Sequence, residues 1–188
     1  MYVPFIEIKY KDLIFDKKVQ TMCVSDKFKC PNYGHSWACP PEAPFMRDKL
    51  QHYDKFYLIY HEFDLKDHVD KIKREKPNWT EEKIISYFYR KEIMRDLMEE
   101  EIFKFINNIE SNNDNVFILW DGHCRLCEKE GKKCTYDEGQ PCRYPDKIRY
   151  SMEAVGINVI ETVRKLSFKI EWPPKKYVYR FGVVCLKL

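Results

Sequence analysis

The stretch Val116-Phe117-Ile118-Leu119-Trp120-Asp121-Gly122-His123-Cys124-Arg125-Leu126-Cys127 decides how the chain is read, because an unbroken apolar run passes straight into a pair of cysteines. An apolar run of this length, closed by Asp-Gly, fits a strand buried on both faces and predicts a central place in a sheet. The run leads into a ligand pattern. Cys124-x2-Cys127-x6-Cys134-x7-Cys142 puts four thiols within 19 residues. Thiolates are soft donors that suit zinc or iron–sulfur clusters and serve calcium or magnesium poorly. Zinc needs four sulfurs converging on one ion at about 2.3 Å. A four-iron cube spreads its ligands over its corners and accepts irregular arms. Zinc modules usually repeat a short Cys-x2-Cys arm, and only one is present here, so the spacing favours a [4Fe-4S] cluster with zinc as the alternative.

A second group lies near the start of the chain. Cys23-x6-Cys30-x8-Cys39-Pro40-Pro41 contains three cysteines in a stretch rich in Pro, Asn, Gly and Ser, which reads as a loop. Three thiolates hold a four-iron cluster with one iron open, unless His35, or Cys185 from the C-terminal strand, completes the set. His123, just before Cys124, is a second histidine able to act as an additional ligand or to support one through a hydrogen bond. Tyr33 and Trp37 are read as shields against water. The eighth cysteine, Cys185, shares an apolar strand face with Tyr179, Phe181 and Val183 and reads as core packing.

The flanking sequence supplies the rest of the fold. Residues 3–10 alternate loosely and lead to Leu13-Ile14-Phe15, as in a strand or short hairpin. Short helices are expected over 44–53 and 67–74, and a compact strand over 56–60. Thr80 followed by Glu81 and Glu82 starts an amphipathic helix predicted to run to Ser111. On its other face Arg90, Lys91, Arg95, Glu99 and Glu100 read as a solvated surface. A further helix is expected over 151–166, with Val155, Val159, Ile160 and Val163 inward, and a last strand over 177–188. Helices interspersed with strands predict an α/β or α+β fold, with a single small sheet flanked by helices and two cysteine-rich metal-binding loops, 21–44 and 121–146. Residues 1–188 are expected to form a single metal-binding domain. If the strands before the two loops share a direction, both loops leave the same end of the sheet and the two sites are neighbours.

Composition narrows the function. The 188 residues are 44% hydrophobic and 15% aromatic, enough to build a core. Net charge is +3, from 33 basic and 30 acidic residues, which lacks the basic bias of a nucleic-acid binder. No apolar run is long enough for a membrane span, and the N-terminus does not resemble a secretory signal. A chain of this size without an export signal has little use for disulfides, so a cytoplasmic protein with metal-bound thiols is expected. No P-loop or dinucleotide fingerprint occurs.

Cys30-Pro31-Asn32-Tyr33-Gly34-His35-Ser36-Trp37-Ala38-Cys39-Pro40-Pro41, the later Cys124-x2-Cys127-x6-Cys134, and Ser151-Met152-Glu153-Ala154-Val155-Gly156-Ile157 together resemble a family of small uncharacterised proteins of anaerobic bacteria and methanogenic archaea. That family is described as predicted metal-binding and has no established reaction. The resemblance spans nearly the whole chain. It implies a ligand role for Cys23, Cys30, Cys39, Cys124, Cys127, Cys134 and Cys142. The expected function is an iron–sulfur protein with two [4Fe-4S] clusters, acting in electron transfer or as a redox accessory to a partner protein. The alternatives are an enzyme whose open three-cysteine cluster binds a sulfur- or oxygen-containing substrate, and a zinc-stabilised interaction module. No nucleic-acid or membrane partner is expected; Tyr and Phe are abundant enough to cover a homo-oligomeric interface.

Overall fold

The chain runs through β1 (Phe5–Ile8), a small hairpin of β2 (Val24–Ser25) and β3 (Phe28–Lys29), α1 (Arg47–Leu50), β4 (Lys55–Asp64), α2 (Leu65–Glu75), α3 (Glu81–Arg90), α4 (Ile93–Asn108), β5 (Val116–Leu119), α5 (Val159–Lys165) and β6 (Tyr177–Leu186). This computed structural model describes residues 3–26, 28–91, 93–109, 115–171 and 173–188, with Phe28 and Ile93 described by their backbone alone. The fold is α+β. One open, fully antiparallel sheet has the order β1-β4-β6-β5. Its centre is the β4–β6 pair, in register from Lys55 opposite Leu186 to Asp64 opposite Tyr177.

Both faces of this sheet are covered, and the period-2 alternation of its strands divides the core accordingly. Phe56 and Leu58 of β4, with Phe181, Val183 and Cys185 of β6, face a cluster containing Leu13, Met46, Leu50, Met152, Val155, Ile157 and Val163. Ile59 of β4, with Val184 and Leu186 of β6, faces Met98, Ile102 and Phe105 of α4. A third cluster joins α2 to α3 through Leu65, Val69, Ile84 and Phe88.

β5 pairs with β6 alone and forms an edge of the sheet, where a central position was expected. The reason is that its apolar run is buried from both faces without a strand on each side. Ile118 and Trp120 pack on the α4 cluster, while Leu119 and Phe117 pack on the opposite one. Continuous hydrophobicity reports covered faces, and says nothing of neighbours in the plane.

The long helix expected from Thr80 is two helices. Thr80 caps the first, its Oγ1 accepting from the Lys83 amide at 3.2 Å, and α3 closes at Lys91, whose amide donates to the Tyr87 carbonyl. α3 packs on α2 and α4 packs on the sheet, so the apolar stripe serves two different surfaces. Glu92, Glu110 and Ser111 lie outside the described residues. The helix expected over 151–166 is also shorter. Asn158 caps α5, and residues 152–156 before it are turns between two isolated bridges at Ser151 and Ile157, which leaves Val155 buried outside any helix and Ile160 41% exposed. The two other helical expectations hold with adjusted ends, as the single turn α1 and the longer α2.

β1 and β5 run in opposite directions, so the condition set for neighbouring loops is not met. The loops meet by another route. After β1 the chain returns over the first face of the sheet, where Leu13 is buried and Phe15 bridges Ile157.

Candidate metal centre

Each cysteine loop is closed at its base. In the first, the β2–β3 hairpin holds Cys23 and Cys30 together, with the Cys30 amide donating to the Cys23 carbonyl at 2.8 Å. The expected plain loop therefore contains a hairpin that pairs two of its three cysteines. Cys39 closes a turn on Ser36, after which the Glu42 and Ala43 amides donate to its carbonyl. In the second, Trp120 bridges Ser151 in parallel and its amide donates to the Tyr150 carbonyl at 2.7 Å, so residues 121–150 leave and rejoin the fold at one place.

The segment Glu153-Ala154-Val155-Gly156 anchors the first loop. Three successive carbonyls bind three separate pieces of chain: Ala154 accepts from the Gln20 side chain, Val155 from the Met46 amide, and Gly156 from the Asp16 amide. Gln20 also donates to the Ala43 carbonyl at 2.9 Å. Gly156 has φ +89° and the Phe45 ring occupies the space a Cβ would need, so glycine is required on both counts.

The two loops then clasp one another. His35 Nδ1 lies 2.9 Å from Asp137, the Trp37 indole donates to the Gln140 carbonyl at 3.1 Å, and the Tyr136 hydroxyl lies 3.2 Å from Glu42 Oε1. Trp37 and Tyr136 meet edge to face at 5.0 Å. A small cavity at this junction is lined by Cys124, Cys127, Cys134 and Cys142, with Ser36, Trp37 and Ala38 of the first loop as its wall. All four cysteines of the second group thus face one space.

The thiols feel each other electrically. Burial pushes the Cys142 thiol up, and the sulfurs of Cys124, Cys134 and Cys127 push it further. Burial raises Cys23 as well, with contributions from Cys30 and Glu153. Cys39 is pushed up to about 11, first by burial and then by Cys30, Cys23 and Cys124, against a lowering hydrogen bond from Ser36. Cys124 therefore acts on both groups. Crowded thiolates repel one another, and a bound cation relieves that repulsion, which is the electrostatic condition of a metal site. Among the described residues, no three His, Cys, Asp or Glu side chains are gathered closely enough to hold a single ion as they stand. The donor set itself, all thiol, fits zinc or an iron–sulfur cluster.

Both histidines sit beside the cysteines. Arg95 Nη1 is 3.0 Å from His123 Nδ1, so Nδ1 accepts and the proton belongs on Nε2, which faces Glu128 Oε1 at 3.3 Å. With both ring nitrogens engaged, His123 is arranged as a support for the loop. His35 uses Nδ1 to join the loops. Arg143 Nη1 lies 3.6 Å from Cys127 Sγ and donates to the Lys133 carbonyl at 2.5 Å. Cys185 is fully buried in β6, away from this junction.

Sequence reasoning missed the residues that hold the second loop. Arg95 and Glu99, expected on a solvated face, are 7% and 8% exposed. Arg95 donates to the carbonyls of Asp121 and His123 and its guanidinium lies against Gly122, whose φ is +71°. Glu99 binds Arg125 at 2.9 Å, Arg149 at 2.5 Å and Lys129. The one signal for them is position: Arg95 and Glu99 directly follow Met94 and Met98 of the buried stripe.

No helix among the described residues is long and apolar enough to cross a membrane. No curated protein and no solved structure matches the chain. A family does match, over residues 6–186, and its description is a predicted metal-binding protein. That span includes both cysteine groups and the carbonyl platform at 154–156, and with it the chain belongs to the DUF2284 family of predicted metal-binding proteins.

Proposed function

We propose that this protein is an iron–sulfur protein with two [4Fe-4S] clusters, one held by Cys124, Cys127, Cys134 and Cys142 and one by Cys23, Cys30 and Cys39, and that it passes electrons to a partner protein. The observation that carries this reading is the single cavity lined by all four cysteines of the second group and walled by the first loop. Clusters of this kind, when bound, accept and release single electrons. The chain's own contribution is to shield and tune them. Trp37 covers the junction, and Arg143 brings a positive charge to a ligand sulfur, which favours the reduced state. Exposed Lys133 gives the outer side of the loop positive charge toward an acidic partner, next to Lys132, which is paired with Glu130 at 2.7 Å.

The first group supports a second reading, an enzyme, because it offers three thiols where the other offers four. Reduction of the anaerobically purified protein, followed by EPR, tests the proposal. Reversible paramagnetic signals from two centres are expected. A protein with no reducible centre, its metal still in place, is no electron carrier.

A further inference from the structure

β5 ends at Leu119, opposite Val183, so residues 177–182 of β6 have an outer edge that β5 does not cover. Along this edge lies a cavity of about 370 Å³. That volume is within the range of small-molecule sites, roughly 300–1,000 Å³. It is separate from the cavity lined by the four cysteines. Its walls combine aromatic rings, aliphatic side chains and an unusual set of charges. Asp121, Glu153 and Glu171 contribute carboxyl groups, and among the described residues Arg180 is the one basic residue lining it.

The charges are incompletely matched. Arg180 Nη1 lies 3.3 Å from Asp121 Oδ1, yet Asp121 Oδ2 and Arg180 Nε are buried without a hydrogen-bond partner. A buried carboxylate oxygen left in that condition costs free energy, which a nearby positive charge offsets. Glu153 is exposed and lines the cavity. Burial pushes that carboxyl up and Asp121 adds to the rise, while hydrogen bonds from its own backbone and from Ser151, with the Arg180 charge, offset only part. The rings of Tyr179 and Phe181 lie parallel within 10°, with Tyr89 also on the wall. Aromatic faces beside surplus carboxylates are the surroundings that stabilise a desolvated cation.

We propose that this cavity is a binding site for a small organic cation, a protonated or quaternary amine with a short apolar body, held by Glu153 against the aromatic wall with the buried charge of Asp121 behind it. The inference goes beyond the electron-transfer reading and does not depend on which metal the cysteines hold. It does place the ligand beside the first cysteine group: Met22 lines the cavity, and the Glu153 charge reaches the Cys23 thiol.

Calorimetric titration of the purified, metal-containing protein tests this with benzylammonium and tetramethylammonium as probes, and with benzyl alcohol and benzoate as neutral and anionic controls. Saturable binding of an amine but of neither control is expected. Glu153→Gln should weaken it at least about tenfold, the loss of one charge-assisted contact. Ile160→Trp, at an exposed position on the cavity wall, should block it while leaving the thermal melt unchanged. The proposal is overturned if neither amine binds saturably, if benzoate binds as well as the amines, or if binding survives undiminished in both variants.

Discussion

Glu99 of α4 and Arg125, the residue after Cys124, form an ion pair of 2.9 Å between side chains only 9% and 12% exposed. The same carboxylate binds Arg149 at 2.5 Å and Lys129, so one residue on a helix fixes three points of the second cysteine loop. Arg125 is also held by Asp96 at 2.8 Å, and the Arg149 guanidinium lies 4.1 Å over the Trp120 ring. Removing the carboxylate leaves several cations without their partner, which is worse than never having buried them. Glu99→Gln should destabilise the fold by about 2 kcal/mol, a buried-pair value reduced because Lys129 is half exposed. Denaturant unfolding checks the stability, and the rate of metal loss to a chelator, expected to rise in the variant, checks the loop.

The same cluster predicts an acid limit to stability. Burial alone would raise the Glu99 carboxyl, but hydrogen bonds and charges from Lys129 and Arg149 outweigh it and hold the group at about 2, below its ordinary 4.5. Because the folded-state value is depressed, the stabilisation is complete above the unfolded value and disappears as protons bind. The loss should fall between about pH 5 and pH 2. Thermal melts across that window should show a steep decline in the wild type and a shallower one in Glu99→Gln. Equal slopes would mean that Glu99 is not the group responsible.

Gly156→Ala is expected to disturb the first cysteine group from a distance. The substitution forces a φ of +89° on alanine and drives its methyl into the Phe45 ring, at a cost of about 2 kcal/mol. The Gly156 carbonyl also anchors Asp16, upstream of Cys23. The variant should lose metal from the first group before the second, read by comparing metal content with that of Gly182→Ala, which crowds α4 against β6 instead.

Arg143→Leu removes the guanidinium next to Cys127 Sγ. Positive charge and hydrogen bonds at a ligand sulfur raise a cluster's potential, so the variant should be harder to reduce, by something on the order of tens of millivolts. Potentiometric titration of both proteins measures it. An unchanged potential would remove Arg143 from the tuning role.

Much of this architecture is legible in the residues, for identifiable reasons. Thr80 announces a helix start because a hydroxyl before two acids suits few other places, and the cap is present. Phe181, Val183 and Cys185 share a face because alternation in a strand allows nothing else. The features that stay hidden depend on contacts between distant segments. Arg95 and Glu99 look like solvent-facing charges until residues 121–149 fold over them. The carbonyl platform at 154–156 is invisible because backbone acceptors carry no sequence signature. The break between α3 and α4 is hidden because one hydrophobic stripe continues across two helices that pack on different partners.

Iron, acid-labile sulfide and zinc content of the anaerobically purified chain tests the central claim most directly, with Cys185→Ala and Cys142→Ser measured beside it. Two four-iron clusters predict about eight iron and eight sulfide per chain. Cys185→Ala should keep them, since that thiol is buried in the sheet, and Cys142→Ser should lose about half. Zinc without iron or labile sulfide, in protein never exposed to oxygen, would contradict the account.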